Sequence, residues 1–295
     1  MSKLIRIGSR DSLLAIKQAQ LVAESIRENN PDVRLEFITI KTTGDKILDK
    51  SLDTIGGKGL FIKELEQALL NGGVDIAVHS YKDVPCGETD GLPIVALSKR
   101  ESPYDVLVLP EGAAGLDRSG RVGSSSLRRT IQFNRLYNGF QVRNIRGNIL
   151  TRLSKLDSGE YSALILAQAG LNRLSFRHRI SRVFTADEMI PSASQGILAV
   201  QGRRGEDYTY LGDFHCRESE IVSKAERQYL KTLDGGCSSP AAAYARLYKT
   251  ELTLKGMYAD IFGNVETGEI SGAADKAELL GETLALRLKK RLENK

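Results

Sequence analysis

Cys237 stands in a setting that presents a thiol instead of packing it. The stretch Leu233-Asp234-Gly235-Gly236-Cys237-Ser238-Ser239-Pro240 sets two glycines before the sulfur and a proline soon after it. The glycines let the backbone turn tightly and let another group come close, and the proline stiffens the exit. Such a cysteine is either an unused small hydrophobe near a surface turn or a thiol that carries a group covalently. A second chemical candidate is Asp83, in His79-Ser80-Tyr81-Lys82-Asp83-Val84-Pro85, which follows the apolar run Val74-Asp75-Ile76-Ala77-Val78. Asp83 is either half of a surface ion pair with Lys82 or an acid/base group at the carboxyl end of a strand, where open α/β sheets bind ligands. His79 reads as a packed histidine, because no second His or Cys lies at metal-ligand spacing.

The third candidate is a set of arginines. Between positions 118 and 182 there are twelve arginines and one lysine, against only Asp157 and Glu160. Arginine suits a two-point grip on carboxylates and phosphates. The elements implied around these residues would place several of them alike. Residues 3–8 alternate as a strand, Ser9-Arg10-Asp11-Ser12 offers helix caps, and residues 13–28 repeat at helical spacing. A strand-to-helix junction points backbone N–H groups at an anion, so Arg10 is either an anion ligand or a solvated charge. The pattern recurs at Gly123-Ser124-Ser125-Ser126-Leu127-Arg128-Arg129, at Arg146-Gly147-Asn148 with Arg152 in the next helix, and at Gln168-Ala169-Gly170-Leu171-Asn172-Arg173. An arginine pair is disfavoured at the positive start of a helix, so Arg128 and Arg129 argue for a bound anion over a solvated face. Several such junctions suggest one ligand with several acidic groups.

The remaining chain supports a mixed α/β architecture. Strands are expected at 34–41, 74–78, 92–97, 106–109, 161–167 and 197–201, and helices at 60–70 and 218–231. Residues 42–58 read as a long loop ending in Gly56-Gly57-Lys58-Gly59, where Lys58 either touches a ligand or merely sits in a turn; the Walker A pattern is missing. Lys99 to Asp105 and Ile190 to Gly196 read as two crossings between α/β domains, which suggests a cleft with a hinge. Strand material at 244–258 and 264–271 and an amphipathic helix at 274–292 form a smaller α+β domain. At 295 residues, two or three domains are expected. No apolar run approaches a membrane span and no signal peptide is read at the N-terminus. Cys86, Cys216 and Cys237 are an odd, widely spaced set without CxxC, which disfavours a disulfide framework or structural zinc and fits a reducing cytoplasm.

Taken together, these motifs resemble the porphobilinogen deaminase (hydroxymethylbilane synthase) family over essentially the whole chain. The residues that carry the resemblance are Gly56-Gly57-Lys58-Gly59-Leu60-Phe61, His79 to Pro85, Ser125-Ser126-Leu127-Arg128-Arg129, Arg146-Gly147-Asn148, Thr151 to Leu156, Leu166 to Leu171, and Gly235-Gly236-Cys237. The resemblance implies two domains like type II periplasmic binding proteins, at 1–98 with 197–214 and at 103–190, and a third, cysteine-bearing domain at 218–295. It implies a transferase that joins four porphobilinogen units head to tail with loss of ammonia, giving hydroxymethylbilane for haem and related tetrapyrroles. It implies a dipyrromethane cofactor in thioether linkage to Cys237, Asp83 as catalytic carboxylate, and Lys58 in an active-site loop. Arg10, Ser12, Lys82, Ser126, Arg128, Arg129, Arg146, Arg152, Arg173 and Gln195 would hold acetate and propionate groups. It implies a cytoplasmic monomer without metal, nucleic-acid or membrane partner. The chemistry of the residues agrees: each added unit brings two carboxylates, and a carboxylate can stabilise the electron-poor azafulvene left when ammonia departs.

The chain departs from the family pattern at the first crossing, where Ser102 and Tyr104 replace the usual Asp and Arg, at Ser194 in place of Gly, and at Gln201 in place of Glu. Two other classes of function compete. A nucleic-acid-binding protein would use the arginines, but these fall at strand ends and helix starts instead of along a basic tail or one exposed helix face. A binding protein for an acidic ligand would share the architecture but leaves the cysteine loop without a purpose.

Overall fold

The computed structural model describes residues 3–42, 62–87, 89–233, 240–260 and 263–294. The elements in chain order are β1 (Leu4–Arg10), α1 (Leu13–Asn29), β2 (Arg34–Ile40), α2 (Lys63–Leu70), β3 (Ile76–Ser80), β4 (Ile94–Leu97) and β5 (Asp105–Val108). They continue with β6 (Arg121–Gly123), α3 (Leu127–Leu136), β7 (Gln141–Arg143), α4 (Ile149–Asp157), β8 (Ala163–Ala167), α5 (Gln168–Arg173), β9 (Arg182–Val183) and β10 (Leu198–Gln201). The last are α6 (Arg217–Thr232), β11 (Ala241–Tyr248), β12 (Glu251–Ala259), β13 (Val265–Ala273) and α7 (Ala277–Glu293). The chain divides into two compact units, Met1–Glu101 with Ile197–Glu220, and Ser102–Gly196 with Ile221–Lys295.

The first unit is built on a five-stranded sheet ordered β2-β1-β3-β10-β4. β1 pairs in parallel with β2 and β3, and β10 runs antiparallel between β3 and β4. Alternation along the strands feeds two cores, as both faces of a covered sheet require. Ile5, Ile7, Ile76, Val78 and Val200 pack with Val22 and Ile26 of α1. Ala77 packs on the other side with Leu65 and Leu69 of α2. β3 lies two residues beyond the expected 74–78. Asp75 is drawn out of the ladder into an ion pair with Arg6 and Arg203, and pairing with β10 instead carries the strand through His79 and Ser80.

The second unit holds a sheet of the same plan, ordered β7-β6-β8-β5-β9, with β6 parallel to β7 and β8 and β5 antiparallel between β8 and β9. Val106, Val108, Leu164 and Leu166 face one core with Leu153 and Leu156 of α4. Leu107, Ala163 and Ile165 face the other with Phe133 of α3. The mixed α/β class expected from the sequence is therefore found in both units.

The second unit also contains an antiparallel sheet, β11-β12-β13. Its face is lined with glycine where α6 and α7 lie closest. A Cβ on Gly268 would meet Leu288 at 3.0 Å, and one on Gly256 would meet the Tyr229 ring at 2.7 Å. Tyr104, at the first crossing, stacks obliquely on Tyr244 of β11 with ring centroids 6.1 Å apart. Glu226 of α6 is fully buried and accepts backbone hydrogen bonds from Ser194 and from Ala245 of β11, both 2.6 Å.

Candidate active site

In the first unit the site follows from strand adjacency. β1 and β3 are parallel neighbours, so their carboxyl ends emerge side by side, where such sheets bind ligands. β1 ends in Arg10. Ser12 then caps α1, its Oγ accepting from the Ala15 amide at 3.3 Å. β3 ends in Ser80, and a single 3₁₀ turn, Tyr81–Asp83, follows. The result is a cavity of about 80 Å³ lined by Arg10, Ser12, Leu14, Ala15, Gln18, Ile62, Val78, His79, Ser80 and Asp83. Gln18 donates to Ser80 Oγ at 2.9 Å across its wall.

Asp83 is exposed, and among the described residues it forms no hydrogen bond or ion pair, so the surface pair with Lys82 is not made. Lys82 beside it is half-buried. His79 is buried and hydrogen-bonded to Gln201 at 3.2 Å, the packed histidine expected. Burial pushes it down to about 4, against the Gln201 hydrogen bond and the Glu66 and Asp83 charges.

The second unit repeats the junctions. Ser126 caps α3 after β6, its Oγ accepting from the Arg129 amide at 3.5 Å, and Asn148 caps α4 after β7, accepting from Thr151 at 3.0 Å. Arg152 reaches back to the Gly147 carbonyl at 2.8 Å, and Gly147 holds φ +107, a left-handed conformation that suits glycine. Arg146 and Arg152 are half-buried. Arg173, at the end of α5, is half-buried and donates to the Gly196 carbonyl at 2.6 Å.

Arg128, Arg129 and Gln195 are placed differently from the sequence-based expectation. In place of the bound anion expected, the arginine pair meets a carboxylate of the protein itself, Asp105, the first residue of β5 and fully buried. Arg128 Nη1 lies 2.6 Å from one Asp105 oxygen, and Arg129 Nη2 lies 2.7 Å from the other. Gln195, 1 % exposed, donates to Asp105 at 3.0 Å and to the Pro103 carbonyl at 2.7 Å. Burial alone would raise the Asp105 carboxyl. The two guanidinium charges and the hydrogen bonds from Arg128 and Gln195 outweigh it, holding Asp105 well below the ordinary carboxylate range. Both hydrogen bonds of Arg128 use Nη1, the second to the Ile190 carbonyl at 2.8 Å, which leaves Nε and Nη2 for a ligand.

Sequence reasoning missed Asp105, assigned to a crossing, and also Glu226 and Glu66. The one local signal for Asp105 was a charge opening the apolar run Val106-Leu107-Val108-Leu109. Cys237 and Lys58 lie outside the described residues.

Two family models cover nearly all of the chain. Residues 5–210 match the porphobilinogen deaminase, dipyromethane cofactor binding domain, and residues 221–290 match the porphobilinogen deaminase C-terminal domain. The chain belongs to the porphobilinogen deaminase family. Porphobilinogen deaminase of Acetivibrio thermocellus is 54% identical over 286 residues, covering 97% of this chain and 98% of that relative. Porphobilinogen deaminase of Alkaliphilus oremlandii is 52% identical over 285 residues, covering 97% and 96%. Among solved structures, the BenM effector binding domain with its effector benzoate aligns over 80% of this chain and 96% of its own at 12% identity, with a TM-score of 0.42. The cofactor named by the family model is a dipyrromethane. Within the first unit, the Arg10 guanidinium and the Ser12 hydroxyl are donors of the kind that acidic side groups require.

Proposed function

We propose that Asp83 is the catalytic carboxylate of this chain and that Cys237 is the attachment point of its dipyrromethane. As a member of the porphobilinogen deaminase family, the protein is a transferase of tetrapyrrole biosynthesis that polymerises porphobilinogen into hydroxymethylbilane. The observation that carries the residue assignment is the cavity at the ends of β1 and β3. It gathers Arg10, Ser12 and an uncommitted Asp83 within one unit.

The division of labour follows from charge. When bound, the dipyrromethane supplies the free pyrrole carbon to which the first porphobilinogen is joined. Asp83, exposed and unpaired among the described residues, accepts hydrogen bonds from pyrrole N–H groups. It stabilises positive charge on the substrate as ammonia leaves and takes up the proton released after each carbon–carbon bond forms. A cationic side chain at this position would oppose the same step. Arg10, Ser12 and Lys82 hold carboxylates beside it, and Ser126, Arg146, Arg152 and Arg173 hold others on the second unit. Ser12 and Ser126 already accept an amide hydrogen as caps, and each keeps its O–H as a donor. Arg128 contributes through Nε and Nη2. Arg129 and Gln195 act through Asp105, keeping that side of the unit rigid.

Residues 1–98 with 197–214, 103–190 and 218–295 form the three domains of this reading. The second boundary is supported by the family models, which part between residues 210 and 221. No described helix is long and apolar enough to cross a membrane. We further infer a cytoplasmic monomer that needs neither nucleic acid nor membrane, a reading supported by three widely spaced cysteines and by arginines that form no basic tail.

Intact mass of the purified protein tests the attachment point. Wild type made in cells that produce porphobilinogen is expected to carry the mass of two pyrrole units, and Cys237→Ser is expected to lack it. An adduct retained by Cys237→Ser would remove that residue from its role.

A further inference from the structure

Arg128 and Arg129 meet the same carboxylate with different edges. A guanidinium offers one side, Nε with Nη2, on which two parallel N–H bonds grip a carboxylate at two points. Arg129 spends that side on its own protein. Its Nε lies 2.9 Å and its Nη2 2.7 Å from Asp105 Oδ1, and its Nη1 donates to the Ile165 carbonyl at 3.1 Å. Arg128 is turned the other way. Its Nη1 takes both of its acceptors, Asp105 Oδ2 at 2.6 Å and the Ile190 carbonyl at 2.8 Å. Arg128 is 6 % exposed, yet its Nε and Nη2 are neither bonded to described residues nor closed in. The two-point side of a nearly buried arginine therefore opens to solvent.

The groups around Nη1 hold Arg128 in that setting. Two acceptors on one nitrogen fix the guanidinium plane and its direction within that plane. Ile190 is itself held: its amide donates to Gln132 Oε1 at 2.7 Å and its carbonyl accepts from Gln132 Nε2 at 3.0 Å. Asp105 opens β5 and also accepts from Gln195 at 3.0 Å. All of these residues lie in the second unit. One carboxylate shared between two buried guanidinium groups cannot neutralise both. Arg128 thus keeps charge to offer an anion on its open side.

We propose that Asp105 is a positioning residue that occupies the two-point side of Arg129, anchors the Nη1 end of Arg128, and thereby presents the Nε–Nη2 side of Arg128 to one carboxylate of the dipyrromethane. The arginine pair is then a single receptor for one acid group instead of two separate ones. Arg128 grips the ligand, and Arg129 keeps Asp105 in place. A neutral residue at position 105 would leave Arg128 free to turn about the Ile190 carbonyl and would unset its open side. The proposal rests on the reading that the arginines hold the acidic groups of the cofactor.

Exchange of arginine Nε–H protons with water, followed by ¹⁵N NMR, tests the proposal without changing the cluster. The Arg129 Nε–H, bound to Asp105, is expected to exchange slowly both in the holoenzyme and in cofactor-free protein, Cys237→Ser by the assignment above. The Arg128 Nε–H is expected to exchange at least about tenfold more slowly in the holoenzyme than in the cofactor-free protein. Fast exchange at Arg129 in both proteins would overturn the proposal. An Arg128 rate that does not change with the cofactor would remove the underlying reading that this arginine holds it. A double-mutant cycle separates positioning from support of the fold. Arg128→Lys keeps the charge but lacks the two-point side, and is expected to lower kcat per cofactor-bearing molecule about tenfold or more. Asp105→Asn is expected to do the same in the wild-type background but to cost less than about twofold further in Arg128→Lys. Equal losses in both backgrounds would show that Asp105 only supports the fold and would overturn its positioning role.

Discussion

Asp83 shares a cavity with Arg10, Asp105 is bound by two arginines, and the two carboxylates differ in burial. Asp83 is exposed and uncommitted among the described residues, and Asp105 is closed in by Arg128, Arg129 and Gln195. Because Asp105 is held below its ordinary range in the fold, its stabilisation is complete above the unfolded-chain value of about 4 and is lost only as pH falls towards the lower folded value. Asp105→Ala leaves two buried guanidinium groups without their anion. It is expected to cost about 3–5 kcal/mol in urea unfolding at pH 7. A loss below about 1 kcal/mol would mean that the cluster is solvated and unimportant. The arginine pair suggested a bound anion where the fold supplies its own, because Asp105 is 23 residues from Arg128 and only the pairing of β5 with β8 brings it there. The same limit hid Gln201 from Glu66, 135 residues away.

At the scale of elements, the strand-to-helix junctions were legible because their signals are local. Ser12, Ser126 and Asn148 are cap residues placed directly before apolar helical spacing, and each caps its helix. Long-range ties were not legible. Glu226 reads as one more charge on an amphipathic helix, yet it joins the second crossing to β11 through two backbone amides. One of them belongs to Ser194, which holds φ +60 and whose buried hydroxyl has no partner among the described residues. A non-glycine residue there stores roughly 1–2 kcal/mol of backbone strain, and the Glu226 hydrogen bond helps to hold it. Glu226→Gln turns one acceptor into a donor against a backbone N–H. It is expected to cost about 1–3 kcal/mol and to speed hydrogen exchange at Ser194 or Ala245. Unchanged exchange at both amides would contradict this role. Two departures at the first crossing also find structural partners here. Tyr104 packs on Tyr244, and Ser102 donates to Gln168 at 2.5 Å.

For the molecule as a whole, the α/β class and the family could be read from ordered motifs; the sheets bear out the class, and the family models and relatives the family. What motif order could not supply was the difference between an arginine that meets a ligand and one that meets its own protein. That difference depends on burial and on which strands are neighbours. Within the first unit, the adjacency of β1 and β3 turns a separate Arg10, Ser12 and Asp83 into one cavity. On the proposed assignment, turnover chemistry resides in this cavity, on Asp83, once the cofactor is in place. Its most direct test is the rate of hydroxymethylbilane formation by Asp83→Ala, using protein whose intact mass shows the two-pyrrole adduct. The rate is expected to fall about 100-fold or more relative to wild type. A rate close to wild type would contradict the account.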